Sequence, residues 1–265
     1  MKNSDRDSLG SHRQFGYEWS NYPEIVPEHE EQFLRWISVI DRNELRNKKV
    51  VDAGCGNGRN SFWLAKQGVK SILAFDVEPL TVEVANKNLS HLSNCSVVQS
   101  SIYDEKTLID YYELFDIVFS IGVIHHLSEP SAALSSLRNL VAPGGKLVIW
   151  VYGKEGNELL LKILFPIRFF TTRLPIRYVD LFSKFLAFFL FVGLRIHAPR
   201  STYFQLARKW NFRHLTSVIF DQLFPKIANY WTKDEVLEVA TMGGWHPVQI
   251  KQINGMSWSL LAEKR

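Results

Sequence analysis

The chain has 265 residues, of which 46% are hydrophobic and 22% are charged. This composition is that of an ordinary globular protein and excludes a disordered or fibrous chain, while the length suits one enzyme domain with additions rather than two full domains. The net charge of +4 raises nucleic acid as a partner to be considered. The two cysteines exclude a disulfide framework and predict a cytoplasmic protein.

Residues 1–44 are predicted to form an N-terminal segment without the apolar run of a secretory signal. Aromatic side chains are concentrated in residues 15–22, and a helix is predicted over residues 28–40. Aromatic residues at this place predict a strap laid over a bound ligand. The alternative is ordinary packing of an N-terminal helix against the sheet.

Residues 50–58 read Val-Val-Asp-Ala-Gly-Cys-Gly-Asn-Gly. The β-branched residues predict a strand, and Gly54, Gly56 and Gly58 predict a sharp turn whose backbone can approach a ligand closely. A helix is predicted over residues 59–67. A strand, a glycine turn and a helix form the first unit of a nucleotide-binding α/β sheet.

The glycine spacing and the preceding acid indicate which ligand this turn holds. The spacing is Gly-x-Gly-x-Gly, whereas dinucleotide-binding folds use Gly-x-Gly-x-x-Gly. Asp52 would repel a pyrophosphate and attract a cationic amino acid. A triphosphate loop is not supported either, because Gly-x-x-x-x-Gly-Lys is absent. The sequence therefore predicts a nucleoside joined to an amino acid, without phosphate.

Further strands follow in an order that supports the same sheet. They are predicted over residues 71–76, 96–99, 115–120 and 146–151. The second of them ends at Asp76, 18 residues beyond Gly58, which is close to the interval of about 20 residues at which an acid meets ribose hydroxyls. A helix is predicted over residues 130–140, with Pro143 and Gly144 as its stop signal.

With these motifs the chain resembles the class I S-adenosylmethionine-dependent methyltransferases. The resemblance rests on an ordered set: Asp-Ala-Gly-Cys-Gly-Asn-Gly, Phe-Asp, Phe-Asp-Ile-Val-Phe-Ser, His-His-Leu and Pro-Gly-Gly. It covers about residues 45–152 and returns at residues 246–252 and 257–263. It implies an α/β fold with a doubly wound, seven-stranded, mostly parallel sheet, an antiparallel last strand and a helical insertion after the fifth strand.

The resemblance also implies S-adenosylmethionine as cofactor and a role for each motif position. Asp52 is expected near the ammonium group, Asp76 on the ribose hydroxyls and Val77 on the adenine. The other expected cofactor-binding residues are Gly54, Cys55, Gly56, Gly58, Ser101, Ile102, Ser120, Ile121 and Gly122. Ser101 departs from the family pattern, which usually has an acid there. The alternatives are that Asp52 caps a turn, that Ser101 caps a helix and that Asp76 is a solvated strand end.

The sequence indicates less about the residues that contact the methyl acceptor. His125 and His126 follow the fourth strand and are candidate general bases, with a loop-fixing hydrogen-bonding pair as the alternative. Tyr152, Asp221 and Tyr230 are candidate acceptor-binding residues. No His/Cys cluster has metal-ligand spacing, so no metal is expected.

The predicted organisation is an N-terminal segment (residues 1–44), a donor-binding core (45–152), an apolar and basic helical cap (153–230) and a C-terminal completion of the core (231–265). Residues 162–200 of the cap carry seven basic side chains against one acid. The ten-residue apolar run at residues 185–194 is short of the ~20 residues that cross a bilayer. The cap is expected either to cover the acceptor alone or also to contact a membrane peripherally. Its long apolar runs are expected to be buried against a cavity over the methyl group.

These observations predict an enzyme that moves a methyl group by in-line displacement to a small or lipophilic acceptor. One alternative is a transferase of the same fold that modifies tRNA or protein. Nucleic acid ranks lower because the cations of the cap are interleaved with aliphatic runs instead of being densely clustered. The other alternative is a non-catalytic donor-binding or membrane-associated scaffold. The sequence does not indicate an oligomeric state.

Overall fold

The computed structural model describes residues 12–197 and 201–265. Its contacts divide the chain into two compact units. The first comprises the described residues up to Glu155 together with Ile227–Arg265, and the second is Gly156–Lys226. The divisions fall a few residues inside the bounds predicted for the cap, and each unit is described separately below.

The first unit is built on a seven-stranded sheet. Its strands are β1 Lys49–Ala53, β2 Ser71–Asp76, β3 Cys95–Gln99, β4 Phe115–Ile121, β5 Val141–Tyr152, β6 His246–Ile253 and β7 Ser257–Glu263. The strand order is β3-β2-β1-β4-β5-β7-β6. Strands β1 to β5 run parallel, and β7 is antiparallel to both neighbours. The predicted fold class is confirmed.

Helices connect the strands and make up the second unit. In chain order they are α1 His12–Asn21, α2 Glu28–Trp36, α3 Arg59–Lys66, α4 Pro79–Leu89, α5 Glu105–Leu108, α6 Pro130–Leu140, α7 Glu158–Thr171, α8 Ile176–Ile196, α9 Thr202–Ala207, α10 Phe212–Leu223 and α11 Lys233–Met242. Short 3₁₀ turns cover Arg42–Leu45, Ile109–Tyr111 and Ile124–His126.

Both faces of the sheet are buried, as parallel sheets require. Alternate residues point to opposite faces: Val50 and Phe119 pack beneath α2 and α3 with Trp36 and Leu64. On the other face, Val51, Leu73 and Val118 pack with apolar residues of α6 and α11, among them Leu134, Leu137, Val236 and Ala240. This double burial explains why the strands read as continuous apolar runs, and it holds the carboxyl ends of β1, β2 and β4 along one edge.

Two local expectations are corrected by the structure. The helix predicted over residues 28–40 ends at Trp36. The Pro-Gly-Gly segment does not stop α6, since the chain passes directly from Leu140 into β5 at Val141. Residues 142–145 instead form an irregularity within β5, where Phe115 pairs with Val141 but Ile117 pairs with Lys146. A four-residue bulge uses the glycines that the pattern attributed to a helix end.

The second unit is helical in its described residues. Leu194 of α8, Leu206 and Ala207 of α9, Trp210 and Leu215 form a small buried cluster. Arg168 of α7 is buried and donates to the backbone oxygen of Pro225. Among the described residues no helix is long and apolar enough to cross a membrane.

A capping box begins α11 and gives a first test. The Thr232 hydroxyl accepts from the amide of Glu235 at 3.3 Å, and the Glu235 carboxylate accepts from the amide of Thr232 at 2.7 Å. Thr232→Ala should lower the free energy of unfolding by about 1 kcal/mol, measured by urea denaturation. Thr241→Ala, at the other end of α11, is the control and should cost clearly less. Equal effects of the two substitutions would contradict the role assigned to the cap.

Candidate active site

The glycine loop after β1 approaches its surroundings too closely for side chains. Gly54 has a φ of +74°, and a Cβ there would lie 2.6 Å from a methyl group of Val123. Gly56 has a φ of +56°, and a Cβ would lie 3.1 Å from the Trp19 ring. The amides of Gly54 and Cys55 both donate to the Phe75 carbonyl, at 2.9 and 3.0 Å. These two hydrogen bonds hold the loop against the end of β2.

Asp52 lies in β1 beneath this loop and is fully buried. Its Oδ2 accepts from the Ser61 hydroxyl at 2.6 Å, whereas its Oδ1 has no hydrogen-bond partner among the described residues. Burial raises the pKa of Asp52 from its ordinary value of 3.8 to about 6, against the lowering effect of the Ser61 hydrogen bond. A buried carboxylate oxygen with unused acceptor capacity is the group that a ligand cation would satisfy.

Asp76 ends β2 and faces the same loop. Its Oδ2 accepts from the Gly56 amide and its Oδ1 from the Glu78 amide, both at 3.1 Å. Burial raises the pKa of Asp76 to about 6, although these backbone hydrogen bonds lower it. A carboxylate has about four lone-pair sites, so two remain for ligand hydroxyls. Asp76 is half-buried, and the loop orients its carboxylate.

The remaining predicted cofactor residues lie at neighbouring strand ends. Ser120 is buried and donates to the Ala53 carbonyl at 3.1 Å. Ile121 is the last residue of β4 and Gly122 follows it, and the Gly122 amide donates to the Trp150 carbonyl at 3.0 Å. Val77 is half-buried directly after Asp76. These positions share the carboxyl edge of the sheet with the glycine loop.

Ser101 and Ile102 follow β3 and are nearly buried. The Ser101 hydroxyl accepts from the Tyr103 amide at 3.1 Å, and its carbonyl accepts from the Asp104 amide. These contacts close a turn, whereas the N-cap of α5 is Asp104, whose carboxylate accepts from the Thr107 amide, so the alternative of a helix cap at Ser101 is wrong. A contact with the adenine stays a prediction.

Helix α1 brings aromatic side chains of the N-terminal segment to this edge. The Trp19 ring packs on Gly56, Gly16 packs on the side chain of Glu78, and Phe15 lies edge-on to His126 at 5.0 Å between centroids. The Arg59 guanidinium lies over the rings of Trp19 and Trp36, at 5.1 and 5.5 Å. The contacts at Gly56 and His126 are those that a strap over a ligand site would make.

His125 and His126 lie in a buried aromatic cluster at the end of β4. The His125 ring is 4.2 Å from that of His126 and 4.1 Å from that of Tyr152. Tyr152 in turn stacks on Tyr230 at 5.1 Å, and Trp150 contacts both His125 and Tyr152. The structure therefore brings the two candidate bases together with two of the three residues predicted to bind the acceptor.

The segment after the second unit determines the tautomer of His126. Its Nδ1 lies 2.8 Å from the carbonyl oxygen of Ile227, and the amide of Asn229 donates to the His125 carbonyl at 2.9 Å. A carbonyl only accepts, so Nδ1 must carry the hydrogen. A neutral His126 then has its lone pair on Nε2. No local pattern indicates Ile227, because the contact joins residues 101 positions apart.

Asp221, the third candidate for acceptor binding, lies on α10 in the second unit. The Tyr203 hydroxyl of the same unit is buried, and its pKa is raised to about 12 by desolvation and by the charge of Asp221. The charge of Asp221 thus acts on a residue of its own unit, and its role toward an acceptor stays a prediction. Among residues 12–197 and 201–265, no group of three or more His, Cys, Asp or Glu side chains could hold a metal ion.

Comparison with known proteins agrees with this geometry. A family model described as a methyltransferase domain matches residues 51–149. Residues 51–149 thus form a methyltransferase domain of the class I S-adenosylmethionine-dependent type. The matched span runs from β1 into β5 and includes the glycine loop, Asp52, Asp76 and the histidine pair. The predicted family is confirmed.

Relatives of two kinds are similar to this chain. The tRNA U34 carboxymethyltransferase of Campylobacter hominis is 32% identical over 136 residues, which cover 51% of this chain and 46% of that protein. The ubiquinone biosynthesis O-methyltransferase of Pseudomonas putida is 27% identical over 165 residues, which cover 62% of this chain and 70% of that protein. The chain thus spans less than half the length of the first of these relatives, and the two are named for different acceptors.

Solved structures share the fold. The magnesium protoporphyrin IX methyltransferase of Synechocystis, solved with bound SAH, has a TM-score of 0.56 to this chain at 15% identity, and the match covers 100% of both chains. At this level of identity the likeness concerns the fold alone.

The residues around the glycine loop fit S-adenosylmethionine on their own geometry. The buried Asp52 has an oxygen with unused acceptor capacity, which suits the ammonium group of the methionine part. The Asp76 carboxylate, held by two backbone amides, suits vicinal hydroxyls. The family's cofactor and the chemistry of this donor set therefore agree.

The raised pKa values predict that donor binding depends on pH. Below about pH 6, Asp52 and Asp76 become protonated and lose their attraction for an ammonium group and part of their acceptor strength. Calorimetry with S-adenosylhomocysteine should show constant affinity above about pH 7. Below pH 6 the affinity should fall by up to about tenfold per pH unit for each carboxyl group that must ionise. Asp52→Asn should bind more weakly at pH 7.5 and show a shallower pH dependence, and an unchanged affinity of the wild type between pH 5 and 8 would contradict this assignment.

The hydrogen-bond geometry of Asp76 predicts its contribution to donor affinity. Asp76→Ala should weaken binding of S-adenosylhomocysteine by about 1.5–3 kcal/mol, the usual contribution of hydrogen bonds to a charged group. Asp116→Ala is the matched control. Asp116 is at the amino end of β4 and accepts from the Lys49 amide at 2.8 Å, on the opposite edge of the sheet, so affinity should not change. Equal affinity of Asp76→Ala and wild type would remove Asp76 from the site.

Proposed function

We propose that the protein is an S-adenosylmethionine-dependent methyltransferase that transfers a methyl group by in-line displacement to a small or lipophilic acceptor with an ionisable hydroxyl. One observation carries the proposal. The edge with the glycine loop, Asp52 and Asp76 also holds an aromatic cluster with two buried histidines, His125 and His126. A donor site and a candidate general base are thus positioned by the same set of parallel strand ends.

The role of the protein in such a reaction is mainly positioning. When bound, S-adenosylmethionine supplies a methyl group on a positively charged sulfur, so the electrophile needs no further activation. Asp52 would hold the ammonium group and Asp76 the ribose hydroxyls, and Ser120, Ile121 and Gly122 would line the donor near the sulfur. Fixing donor and acceptor in reactive alignment converts a bimolecular step into an effectively unimolecular one.

His126 is the better placed of the two candidate bases. Its Nδ1–H donates to the Ile227 carbonyl, which fixes the ring and puts the lone pair on Nε2. That nitrogen can take a proton from an acceptor hydroxyl as the methyl group is transferred. His125 is fully buried between His126 and Tyr152, which favours a positioning role for it.

The lining of the cluster supports a flat, apolar acceptor. The rings of Phe15, His126, Tyr152 and Tyr230 lie within 4–6 Å of one another in successive pairs, and aromatic side chains prefer offset or edge contacts with another ring. The relative named for ubiquinone biosynthesis fits this class, so we take a quinol with a free phenolic hydroxyl as the representative acceptor. That the insertion at 153–230 selects the acceptor stays a prediction.

A tRNA acceptor is the second candidate. It is favoured by the similarity to tRNA U34 carboxymethyltransferases and by the basic second unit, where residues 156–226 hold 11 Lys and Arg against three Asp and Glu. A non-catalytic scaffold is the third, and the intact Asp52, Asp76 and glycine loop argue against it.

The acceptor is tested with S-adenosylmethionine labelled on the methyl group. Wild-type protein is incubated with a demethylated ubiquinol analogue or with bulk tRNA prepared from a strain lacking this protein. We expect label in the quinol. Label in tRNA alone would replace the proposal by the second candidate, and donor binding without any transfer would favour the scaffold.

Substitution of His126 tests its role as base. His126→Ala should lower kcat by about 10²–10⁴-fold, the usual contribution of general base catalysis, while the affinity for S-adenosylhomocysteine stays within twofold of wild type. His91→Ala, at an exposed histidine after α4, is the control and should leave kcat unchanged. A His126→Ala variant with wild-type kcat and an unchanged pH profile would leave His126 only a structural role.

A further inference from the structure

Helix α8 of the second unit carries a stripe of exposed apolar side chains. The stripe consists of Tyr178, Leu181, Phe182, Phe185, Phe188, Phe189, Val192 and Ile196, whose exposed fractions lie between 36% and 70%. Successive members are three or four residues apart with two adjacent pairs, so they share one face of the helix. The stripe extends over 19 residues, an axial rise of about 27 Å.

The opposite face of α8 packs inside its own unit. Val179, Ser183, Ala187 and Leu194 are buried. The outward stripe therefore adds nothing to this interior. Helix α7 has a comparable outward row of Leu159, Ile163 and Phe170, exposed by 74%, 57% and 66%. Exposed apolar surface of this extent marks an interaction site on a soluble protein.

Charge distribution indicates what covers the stripe. Residues 156–226 hold 11 Lys and Arg against three Asp and Glu, whereas the rest of the chain holds 20 against 24. The positive charge of the protein thus lies in the unit with the exposed stripe. The one acid on α8, Asp180, is largely buried and paired with Lys184 at 2.7 Å. Lys162 and Arg177 are exposed beside the apolar rows.

We propose that the outward face of α8 lies in the interface of a membrane whose surface carries anionic headgroups. An interfacial helix combines a bulky apolar face, which enters the acyl boundary, with flanking cations that contact lipid phosphates. Large Phe and Leu side chains would stay in water on an RNA surface, where dense cationic clusters are required. Binding in the plane of the membrane also agrees with the finding that no described helix is suited to span it.

Vesicle flotation tests the proposal on the full-length protein, without donor or acceptor, so its outcome is independent of the proposed methyl transfer. One vesicle type is phosphatidylcholine alone, and in the other about a third of the lipid is phosphatidylglycerol. We expect binding to the anionic vesicles and much weaker binding to the neutral ones. Flotation with neither would overturn the proposal, as would binding to bulk tRNA that persists unchanged in the stripe variant below.

The stripe variant is Phe185→Glu with Phe189→Glu, at side chains exposed by 58% and 59%. It should reduce partitioning to anionic vesicles at least about tenfold. The control is Ile109→Glu with Met242→Glu in the first unit, exposed by 59% and 68%. It adds the same charge to a similarly exposed apolar pair and should retain most binding. An equal loss in both variants would show a general charge effect and contradict the assignment to α8.

A second measurement follows the depth of the stripe without disturbing folding. An environment-sensitive dye is attached at Phe189→Cys, and for comparison at Met242→Cys. The native Cys55 is buried and Cys95 is half-buried, so labelling is directed to the new thiol. Anionic vesicles should shift the emission at position 189 to the blue and leave that at 242 unchanged. If the emission at position 189 shifted to the blue without vesicles when the protein concentration was raised, a second copy of the chain would cover the stripe.

Discussion

The close approach of the glycine loop to the end of β2 is the constraint on which the rest of the site depends. Two consecutive amides, of Gly54 and Cys55, share the Phe75 carbonyl, and the next amide, of Gly56, donates to the Asp76 carboxylate. This arrangement requires β1 and β2 to be parallel neighbours, as their register shows. It also requires glycine at positions where a Cβ would meet Val123 or Trp19.

The constraint has an electrostatic consequence. It brings Asp52 and Asp76 to one edge of the sheet, where burial raises the pKa of each to about 6. For the fully buried Asp52, this means that the folded state disfavours the ionised carboxylate by roughly 3 kcal/mol at neutral pH. An acid that lowers stability in the absence of ligand suits a cationic ligand that offsets the cost, and perturbed carboxyl groups of this kind cluster at functional sites.

The parts of the fold and site that local sequence determines could be predicted. The ends of β1, β2 and β4, the glycine loop and the capping box at Thr232 each depend on residues close together in the chain. Features that depend on contacts between residues far apart in the chain could not be predicted. The Pro-Gly-Gly segment reads as a helix end, but the pairing of β4 with β5 makes it a bulge.

The residues near the expected acceptor and those of the second unit also depend on contacts between distant parts of the chain. The tautomer of His126 depends on the Ile227 carbonyl, which no local pattern indicates. The long apolar run of the insertion was expected to be buried, yet Phe185, Phe188 and Phe189 are exposed. Apolar residues lie on both faces of α8, and the sequence could not show that only one of these faces packs within the unit.

We propose that the loop, Asp52 and Asp76 together form the donor site. A crystal structure with S-adenosylhomocysteine tests it most directly. The ligand should lie along residues 54–58, with its amino group toward Asp52, its ribose hydroxyls on the Asp76 carboxylate and its sulfur toward the cluster around His126. A ligand bound elsewhere, or one whose ribose makes no contact with Asp76, would contradict it.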